Sequence, residues 1–185
     1  MNTEICHHLK SHGVIVYPTD TLYGLGAYAF DTEAIEKIFR LKRMEPRVLS
    51  VAFDSFESAE NYAYLPEWVS EILPGPVTII ARAKGEWKYI VKDGKIGIRV
   101  PDNETALQIL RECGPLTSTS ANMHGQKEMK DIAEIKRIFG HDVLYVEGEA
   151  PKYKMPSTII DVVDGKILRE GAMKITDYSY FQTFG

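Results

Sequence analysis

The 185-residue sequence predicts an α/β fold built on a mixed β-sheet, and two features of its order predict this class. Apolar runs of strand length alternate with segments of helical periodicity along most of the chain. A strong hairpin signal, Asp164-Gly165 between STIIDVV and KILRE, comes late and adds an antiparallel pair. Because helices alternate with strands early and a hairpin follows them, we expect parallel and antiparallel pairs in one sheet.

The first half of the chain begins with a buried strand, VIVYP at 14–18. A helix over 31–43 follows, started by Asp31 or Thr32, and a second strand, VLSVAF, occupies 48–53. These three segments predict a β-loop-α-β unit. Farther along the chain, a proline suits the first turn of a short helix, PEWVSEIL, which the sequence PGP ends.

The remaining elements are predicted in the same way. VTIIARA and IGIRV are strands, and Asp102 or Asn103 begins the helix that carries ETALQILREC. Asp131 and Glu134 have the spacing of a capping box before the helix DIAEIKRIF, and DVLYV follows as a strand. We expect one domain over residues 1–185, because no linker-like stretch interrupts the chain.

Charge balance and hydropathy argue against several classes of protein. The 22 Lys and Arg against 26 Asp and Glu leave a net charge of −4, which argues against a surface that follows nucleic acid throughout. A local basic cleft stays compatible with that balance. No run approaches the roughly 18 apolar residues of a membrane span, and the N-terminus lacks the pattern of a signal peptide. We therefore expect a cytoplasmic protein that binds no membrane.

Cys6 and Cys113 are the only two cysteines in the sequence, and neither belongs to a C-x-x-C pair. This spacing supports neither a disulfide framework nor a thiolate zinc site. We expect both side chains to be ordinary packing cysteines, and we expect no metal site formed by the protein.

The segment TDTLYGLGAYAFD is longer and more polar at its start than a strand-to-helix turn requires. Gly24 and Gly26 permit positive φ or a close backbone approach, and Thr19 and Thr21 bring hydroxyl groups to the end of a strand. Open α/β sheets bind ligands at such strand ends. The segment lacks the dinucleotide fingerprint and the Walker lysine, so neither standard nucleotide-binding fold is indicated.

Cationic residues are placed where an anion could bind. Lys42, Arg43 and Arg47 follow a helix end, where they either complement the helix dipole in solvent or form an anion clamp. Arg99 lies inside IGIRVP, and an arginine at the end of a buried strand needs an anion or carbonyl groups for its N–H donors. Arg169 is on the second arm of the predicted hairpin.

Hydroxyl groups gather in LTSTSANMHG, where Ser118, Ser120 and Asn122 alternate and would share one side of an extended chain. Such a stretch is either a polar turn or a row of donors and acceptors for a ligand. Ser157, in PST, begins a further strand in the same style. Together with the cations from separate strands, these groups predict a pocket for a ligand with phosphates and a carboxylate.

The order of the motifs PTDTLYGLG, LPGPVT, IGIRVP, STSAN, PSTIIDV and ILREGA resembles the threonylcarbamoyl-AMP synthase (TsaC/YrdC) family. The match runs from about residue 14 to 172, and 173–185 form a C-terminal tail beyond it. The resemblance implies a single-domain YrdC-like fold, with a twisted, mostly mixed sheet, flanking helices and a concave basic ligand pocket. It also implies the short form of the family.

The resemblance implies a reaction in which L-threonine, bicarbonate and ATP give threonylcarbamoyl-AMP and pyrophosphate, assisted by Mg²⁺. A tRNA threonylcarbamoyl transferase of the TsaD type would then pass the group to the adenosine beside the anticodon. Since positioning and charge neutralisation can carry such a transfer, we expect no covalent enzyme intermediate.

The resemblance also assigns site residues at matching positions. L-Threonine would be held by Thr21, Arg99, Ser118 and Ser157, with Arg99 on its carboxylate. ATP would be bound by Lys42, Arg43, Arg47, Ser120, Asn122 and Arg169, and Lys42 and Arg43 would be the catalytic cations.

The segment KRMEPRVL departs from the family pattern of Lys-x-Arg followed by Lys-Pro-Leu, because it is about one residue shorter and has Val48 for the proline. Met44 would take the place of the arginine if no gap is allowed. Three alternatives therefore stay open: a YciO-like paralogue of unsettled activity, a module that binds double-stranded RNA through a basic cleft, and a carbamoyl-transfer domain of hydrogenase maturation, which normally belongs to a longer chain.

Overall fold

The computed structural model describes residues 2–123, 125, 129 and 131–175, and within these residues it has eleven strands and five α-helices. The strands are β1 (Ile15–Pro18), β2 (Tyr23–Gly26), β3 (Ser50–Ala52), β4 (Ala63–Tyr64), β5 (Val77–Ala83), β6 (Val91–Lys92), β7 (Lys95–Arg99), β8 (Leu116–Ser120), β9 (Leu144–Tyr145), β10 (Thr158–Asp161) and β11 (Lys166–Arg169). The helices are α1 (Asn2–Lys10), α2 (Thr32–Lys42), α3 (Phe56–Glu60), α4 (Glu104–Cys113) and α5 (Ile132–Phe139).

The strands form one mixed sheet in the order β11-β10-β5-β7-β3-β8-β2-β1-β9, with β4 paired to β5 and β6 to β7. The pairs β1/β9, β3/β7 and β5/β10 are parallel, and the others are antiparallel. Alternate residues of β1 enter two different apolar clusters, Val16 one and Ile15 and Tyr17 the other. Because side chains alternate across a strand, the sheet has a core on each face.

Side-chain caps start the helices where the sequence predicts. Asp31 accepts a hydrogen bond from Ala34 N at 3.1 Å at the start of α2, and Asn103 accepts one from Ala106 N at 3.1 Å at the start of α4. Such caps satisfy backbone donors that have no partner inside the helix. The late hairpin is also confirmed, since β10 and β11 pair antiparallel around Gly165.

The predicted β-loop-α-β unit is wrong, because the supposed loop contains β2, which pairs antiparallel with β1. The glycines of β2 are used for close packing and have no positive φ. A Cβ at Gly24 would lie 2.9 Å from Tyr17 Cε1, and one at Gly26 would lie 2.7 Å from the same atom. The buried ring of Tyr17 therefore requires both glycines, and the polar segment can extend as a strand beneath it.

Two predicted strands and one predicted helix are shorter than their sequences indicate. VLSVAF contributes only Ser50–Ala52, and DVLYV only Leu144–Tyr145. PEWVSEIL forms a 3₁₀ helix over Glu67–Glu71, with Pro66 before its first turn. Apolar residues next to these elements are buried without joining a ladder, so an apolar run overestimates the length of the element.

The prediction of two separate packing cysteines is wrong, because Cys6 and Cys113 form a disulfide with a Cα–Cα distance of 5.0 Å. Cys6 is on α1, and Cys113 is the last residue of α4. Both helices pack in the same apolar cluster, which also holds Leu9 and Leu110. The pairing depends on this tertiary contact across 107 residues, which the spacing of the cysteines could not reveal.

The chain beyond β11 returns to the body of the protein before the described part ends. Thr158 Oγ1 donates to Met173 O at 2.6 Å, and Ile175 packs against the main apolar cluster. Residues 176–185 of the predicted tail, and His124 in the MHGQ segment, lie outside the described residues. In the described part of the chain, no helix combines the length and apolar character needed to cross a bilayer.

Candidate functional site

A cavity of about 310 Å³ lies over the sheet, and we call it the ligand cavity. Strands β2, β5, β7, β8, β10 and β11 contribute to its lining, together with the segments that follow β1 and α2. These strands are neighbours or near neighbours in the sheet, so residues far apart in sequence meet at one place. Strand ends therefore deliver the side chains of this site, as the sequence predicts.

The ligand cavity brings together every predicted site residue except Arg43. Its lining includes Thr21, Lys42, Arg47, Arg99, Ser118, Ser120, Asn122, Ser157 and Arg169. Thr19, Met44, Ser50 and Thr78 also line it, and the prediction of the site did not include them.

Arg43 lies outside the ligand cavity because of how α2 ends. Its backbone is left-handed, with φ 50° and ψ 49°, and its N–H donates to Arg40 O at 3.1 Å while Met44 N donates to Phe39 O at 3.0 Å. This pair of bonds is a Schellman motif, which reverses the chain direction at the helix end. The exposed side chain of Arg43 therefore lines grooves on the outer surface, and Met44 lines the cavity.

Lys42 is the last residue of α2, and only 3% of it is exposed. Its Nζ donates to Asn122 O at 2.7 Å and to Ser120 O, so the lysine holds the turn that follows β8. Burial lowers the pKa of Lys42 to about 8, because the charged form loses water, and the positive charge of Arg47 lowers it further.

Arg99 ends β7, and its guanidinium is fixed by two neighbours. Nη2 donates to Asp20 Oδ1 at 2.8 Å, and Nη1 donates to Thr21 Oγ1 at 3.0 Å. Asp20 is fully buried, and burial raises the pKa of its carboxyl group while Arg99 acts in the opposite direction. The prediction of the site omitted Asp20, although the motif PTDTLYGLG contains an acid between two threonines.

The hydroxyl of Thr19 organises the turn that presents Thr21. Thr19 Oγ1 donates to Leu22 O at 2.6 Å and accepts from Thr21 N at 3.2 Å, and it lies 3.1 Å from Thr21 Oγ1. This arrangement satisfies the backbone of a buried turn with a side chain, as threonine does in such positions.

At the other side of the ligand cavity, Ser157 is held by two neighbouring strands. Its Oγ lies 2.8 Å from Thr78 Oγ1 on β5. Arg169 on β11 donates from Nε and Nη2 to Ser157 O, at 3.0 and 2.7 Å, and from Nη2 to Ser157 Oγ at 3.2 Å. Thr78 follows the PGP motif, and it was missed because a single threonine in an apolar strand gives no signal in the sequence.

The side chains of β8 alternate as the sequence predicts. Ser118 and Ser120 line the ligand cavity, whereas Thr117 is buried on the other side and accepts from Ala27 N at 3.0 Å. Ser120 Oγ donates to Asn122 Oδ1, so the two polar side chains are fixed relative to each other.

The charges of the described lining are all positive. Four cations line the ligand cavity, and Asp and Glu are absent from that described lining. Such a cavity favours an anionic ligand, and its hydroxyl groups can accept from an ammonium group or donate to phosphate oxygens. The arrangement can therefore bind a polyanion and a small zwitterion side by side.

Comparison with known proteins gives matches over nearly the whole chain. The family model named Sua5_yciO_yrdC, described as telomere recombination, matches residues 7–171. The threonylcarbamoyl-AMP synthase of Neisseria gonorrhoeae is 33% identical over 172 residues, which cover 88% of this chain and 91% of that protein.

Two solved structures share the fold. Sua5 of P. abyssi, in a complex with L-threonine, superposes with a TM-score of 0.79 and 25% identity, covering 86% of this chain and 50% of that one. YciO of E. coli superposes with a TM-score of 0.84 and 27% identity, covering 95% of this chain and 91% of that one. The predicted fold class is therefore confirmed, and the resemblance inferred from the motifs has independent support.

Proposed function

Because the chain belongs to the Sua5/YciO/YrdC family, we propose that it is a threonylcarbamoyl-AMP synthase. The amine of L-threonine and bicarbonate form a carbamate with loss of water. A carbamate oxygen then attacks the α-phosphorus of ATP, the bond from that phosphorus to the bridging oxygen breaks, and pyrophosphate leaves. Two anions must approach each other in this step, so neutralising charge and fixed positions lower the barrier.

The observation that carries this proposal is the joining of two kinds of subsite in one cavity. Arg99, tied to Asp20 and Thr21, offers a fixed guanidinium to a carboxylate. Hydroxyl groups around it can accept from the ammonium or meet the hydroxyl of threonine. We therefore propose that the subsite for L-threonine consists of Thr21, Arg99, Ser118 and Ser157.

The nucleotide subsite is proposed at the side where the other cations gather. A lysine and two arginines would neutralise the phosphates, and the fixed Ser120–Asn122 pair would orient the nucleotide. This proposal includes Lys42, Arg47, Ser120, Asn122 and Arg169. It leaves out Arg43, since that side chain lies on the outer surface.

We propose that Mg²⁺ accompanies ATP, and the donor set of the cavity fits such an ion. The described lining offers hydroxyl groups without carboxylates, and the described residues contain no cluster of His, Cys, Asp and Glu suited to a metal. An ion that arrives on the phosphates of ATP keeps most of its water ligands and needs no carboxylate cage. When bound, it would supply positive charge to the phosphates.

We further propose that the product passes to a tRNA threonylcarbamoyl transferase of the TsaD type, in the cytoplasm. Weak RNA binding at the basic cavity is part of the same proposal. The disulfide is compatible with this location where cytoplasmic proteins carry disulfides, as in hyperthermophilic archaea and bacteria.

The proposed activity is tested by pyrophosphate release with ATP, bicarbonate and each amino acid in turn. We expect turnover with L-threonine alone, and at least a tenfold loss of kcat/KM when Arg99→Ala removes the guanidinium. Arg82→Ala is the control, because Arg82 is exposed on β5 outside the cavity. Absence of pyrophosphate release with any amino acid would reject the proposal.

A YciO-like activity is the second candidate. Met44 lines the cavity where the resemblance places an arginine, and YciO superposes over nearly its whole length. A protein that binds ATP without releasing pyrophosphate would favour this candidate. RNA binding as the main function would instead appear as an affinity that falls steeply with salt and does not respond to ATP or threonine.

A further inference from the structure

Four cationic side chains line the ligand cavity, and they differ in how many of their N–H groups already bind the protein. This difference matters because a donor that is engaged by the chain must be released before it can bind a ligand. The four residues are Lys42, Arg47, Arg99 and Arg169.

Lys42 has three N–H donors, and two of them bind the carbonyl groups of Ser120 and Asn122. The same ammonium is almost fully buried, and its pKa is lowered to about 8. Lys42 therefore contributes to the turn after β8 at least as much as it can contribute to a ligand.

The two arginines at the other side are engaged in a similar way. Arg99 is bound by Asp20 and Thr21, and Arg169 binds both the carbonyl and the hydroxyl of Ser157. These bonds fix both guanidinium groups to the sheet. They suit groups that recognise one small ligand in one position.

Arg47 is the exception among the four. It lies in the segment between α2 and β3, its side chain is exposed, and its side chain makes no hydrogen bond or ion pair with the rest of the described chain. All five of its N–H donors are available, in a planar arrangement that matches phosphate oxygens. Its charge is near enough to Lys42 to lower the pKa of that lysine.

We propose that Arg47 is the phosphate-binding guanidinium for the part of ATP that leaves as pyrophosphate. This inference rests on the proposed function and names the residue that replaces the family arginine in KRMEPRVL. The Schellman end of α2 turns Arg43 outward and puts Met44 at the cavity, so the helix end presents no arginine to the ligand. The next arginine along the chain, Arg47, returns a guanidinium to the same cavity.

The test compares binding of ATP, pyrophosphate and AMP by calorimetry in the wild type and in Arg47→Gln. We expect Arg47→Gln to weaken ATP and pyrophosphate by about 10- to 100-fold and AMP by less than about threefold, as expected for the loss of a charge-assisted contact to the outer phosphates. The salt dependence of ATP binding should also become weaker. Arg40→Gln is the matched control, because it removes an exposed arginine of α2 outside the cavity.

Two further variants make the result specific. Arg43→Gln should behave like the control, and the double variant Arg47→Gln with Met44→Arg should recover part of the ATP affinity by returning a guanidinium to the cavity. Equal losses in Arg43→Gln and Arg47→Gln, or an Arg47→Gln protein that binds all three ligands normally, would overturn the inference. Failure of the wild type to bind ATP would instead reject the proposed function.

A readout that needs no nucleotide is the ionisation of Lys42. Removal of the Arg47 charge should raise the pKa of Lys42 from about 8 toward its ordinary value, which NMR titration of the lysine would detect. An unchanged lysine pKa in Arg47→Gln would show that the two cations do not meet, and it would count against the inference.

Discussion

Arg99 Nη2 lies 2.8 Å from Asp20 Oδ1, and both residues are buried beside the ligand cavity. Only Arg99 lines the cavity, so Asp20 supports the guanidinium from behind. The carboxylate compensates a charge that would otherwise be buried alone, and it limits the directions in which the guanidinium can point.

Replacement of Asp20 should therefore affect both stability and threonine binding. We expect Asp20→Ala to lower the free energy of unfolding by about 3 kcal/mol or more, because it leaves Arg99 as an uncompensated buried charge. Chemical denaturation measures this loss. Glu104→Ala breaks the exposed pair between Glu104 and Arg111 and should change little. Similar stability of both variants would contradict the importance of the buried pair.

The lowered pKa of Lys42 predicts how stability depends on pH. The folded protein releases the Lys42 proton near pH 8, whereas the unfolded chain holds it until about pH 10.5. Between these values the unfolded state binds more protons, so the free energy of unfolding should rise with pH, by about 3 kcal/mol at most. Denaturation from pH 7 to pH 10 should show the rise in the wild type and lose it in Lys42→Met.

The tyrosines limit the upper end of that experiment. Burial raises the pKa of Tyr17 to about 12, so above about pH 10 the unfolded chain loses the Tyr17 proton first. This effect lowers stability and opposes the contribution of Lys42. The comparison with Lys42→Met below pH 10 separates the two groups, and a variant with the same pH profile as the wild type would contradict the lysine assignment.

The packing of Tyr17 on β2 predicts the cost of a methyl group at Gly26. A Cβ there would lie 2.7 Å from Tyr17 Cε1, and the fully buried ring cannot move aside. We expect Gly26→Ala to destabilise the protein by about 1 to 3 kcal/mol through overpacking. In a Tyr17→Leu background the same substitution should cost less, and equal costs in both backgrounds would contradict the clash.

The disulfide predicts a redox dependence of stability. It joins α1 to α4 across 107 residues, and a loop of that length stabilises a fold mainly by restricting the unfolded chain. The gain expected for such a loop is roughly 2 to 4 kcal/mol. Thermal unfolding should occur at a lower temperature after reduction, whereas Cys113→Ser should show no further change with reductant. A wild type that is insensitive to reductant would contradict the pairing.

The sequence predicted the elements whose signals are local. Periodicity and caps located α2 and α4, and the Asp164-Gly165 turn located the hairpin, because each depends on neighbouring residues. The strand β2 escaped notice because its glycines are explained only by Tyr17 on the neighbouring strand. The disulfide depends likewise on two helices that meet only in the folded protein.

The same distinction applies to the site. Residues in polar or charged motifs, such as Ser118 and Arg99, were found because their side chains are unusual in a strand. Asp20 and Thr78 act on other site residues, so their role becomes visible only through contacts at 2.8 Å. Arg43 was misplaced because a left-handed residue at the helix end reversed the direction that helical spacing implies.

The positive lining of the cavity belongs to a protein whose net charge is −4. A small anion can be steered into this electropositive depression by the local field, whereas a long polynucleotide also meets the repulsion of the surrounding acidic surface. The size of the ligand thus becomes a criterion for entry before any specific contact forms. Added salt should erode this discrimination by slowing nucleotide capture more than threonine capture, since threonine carries no net charge.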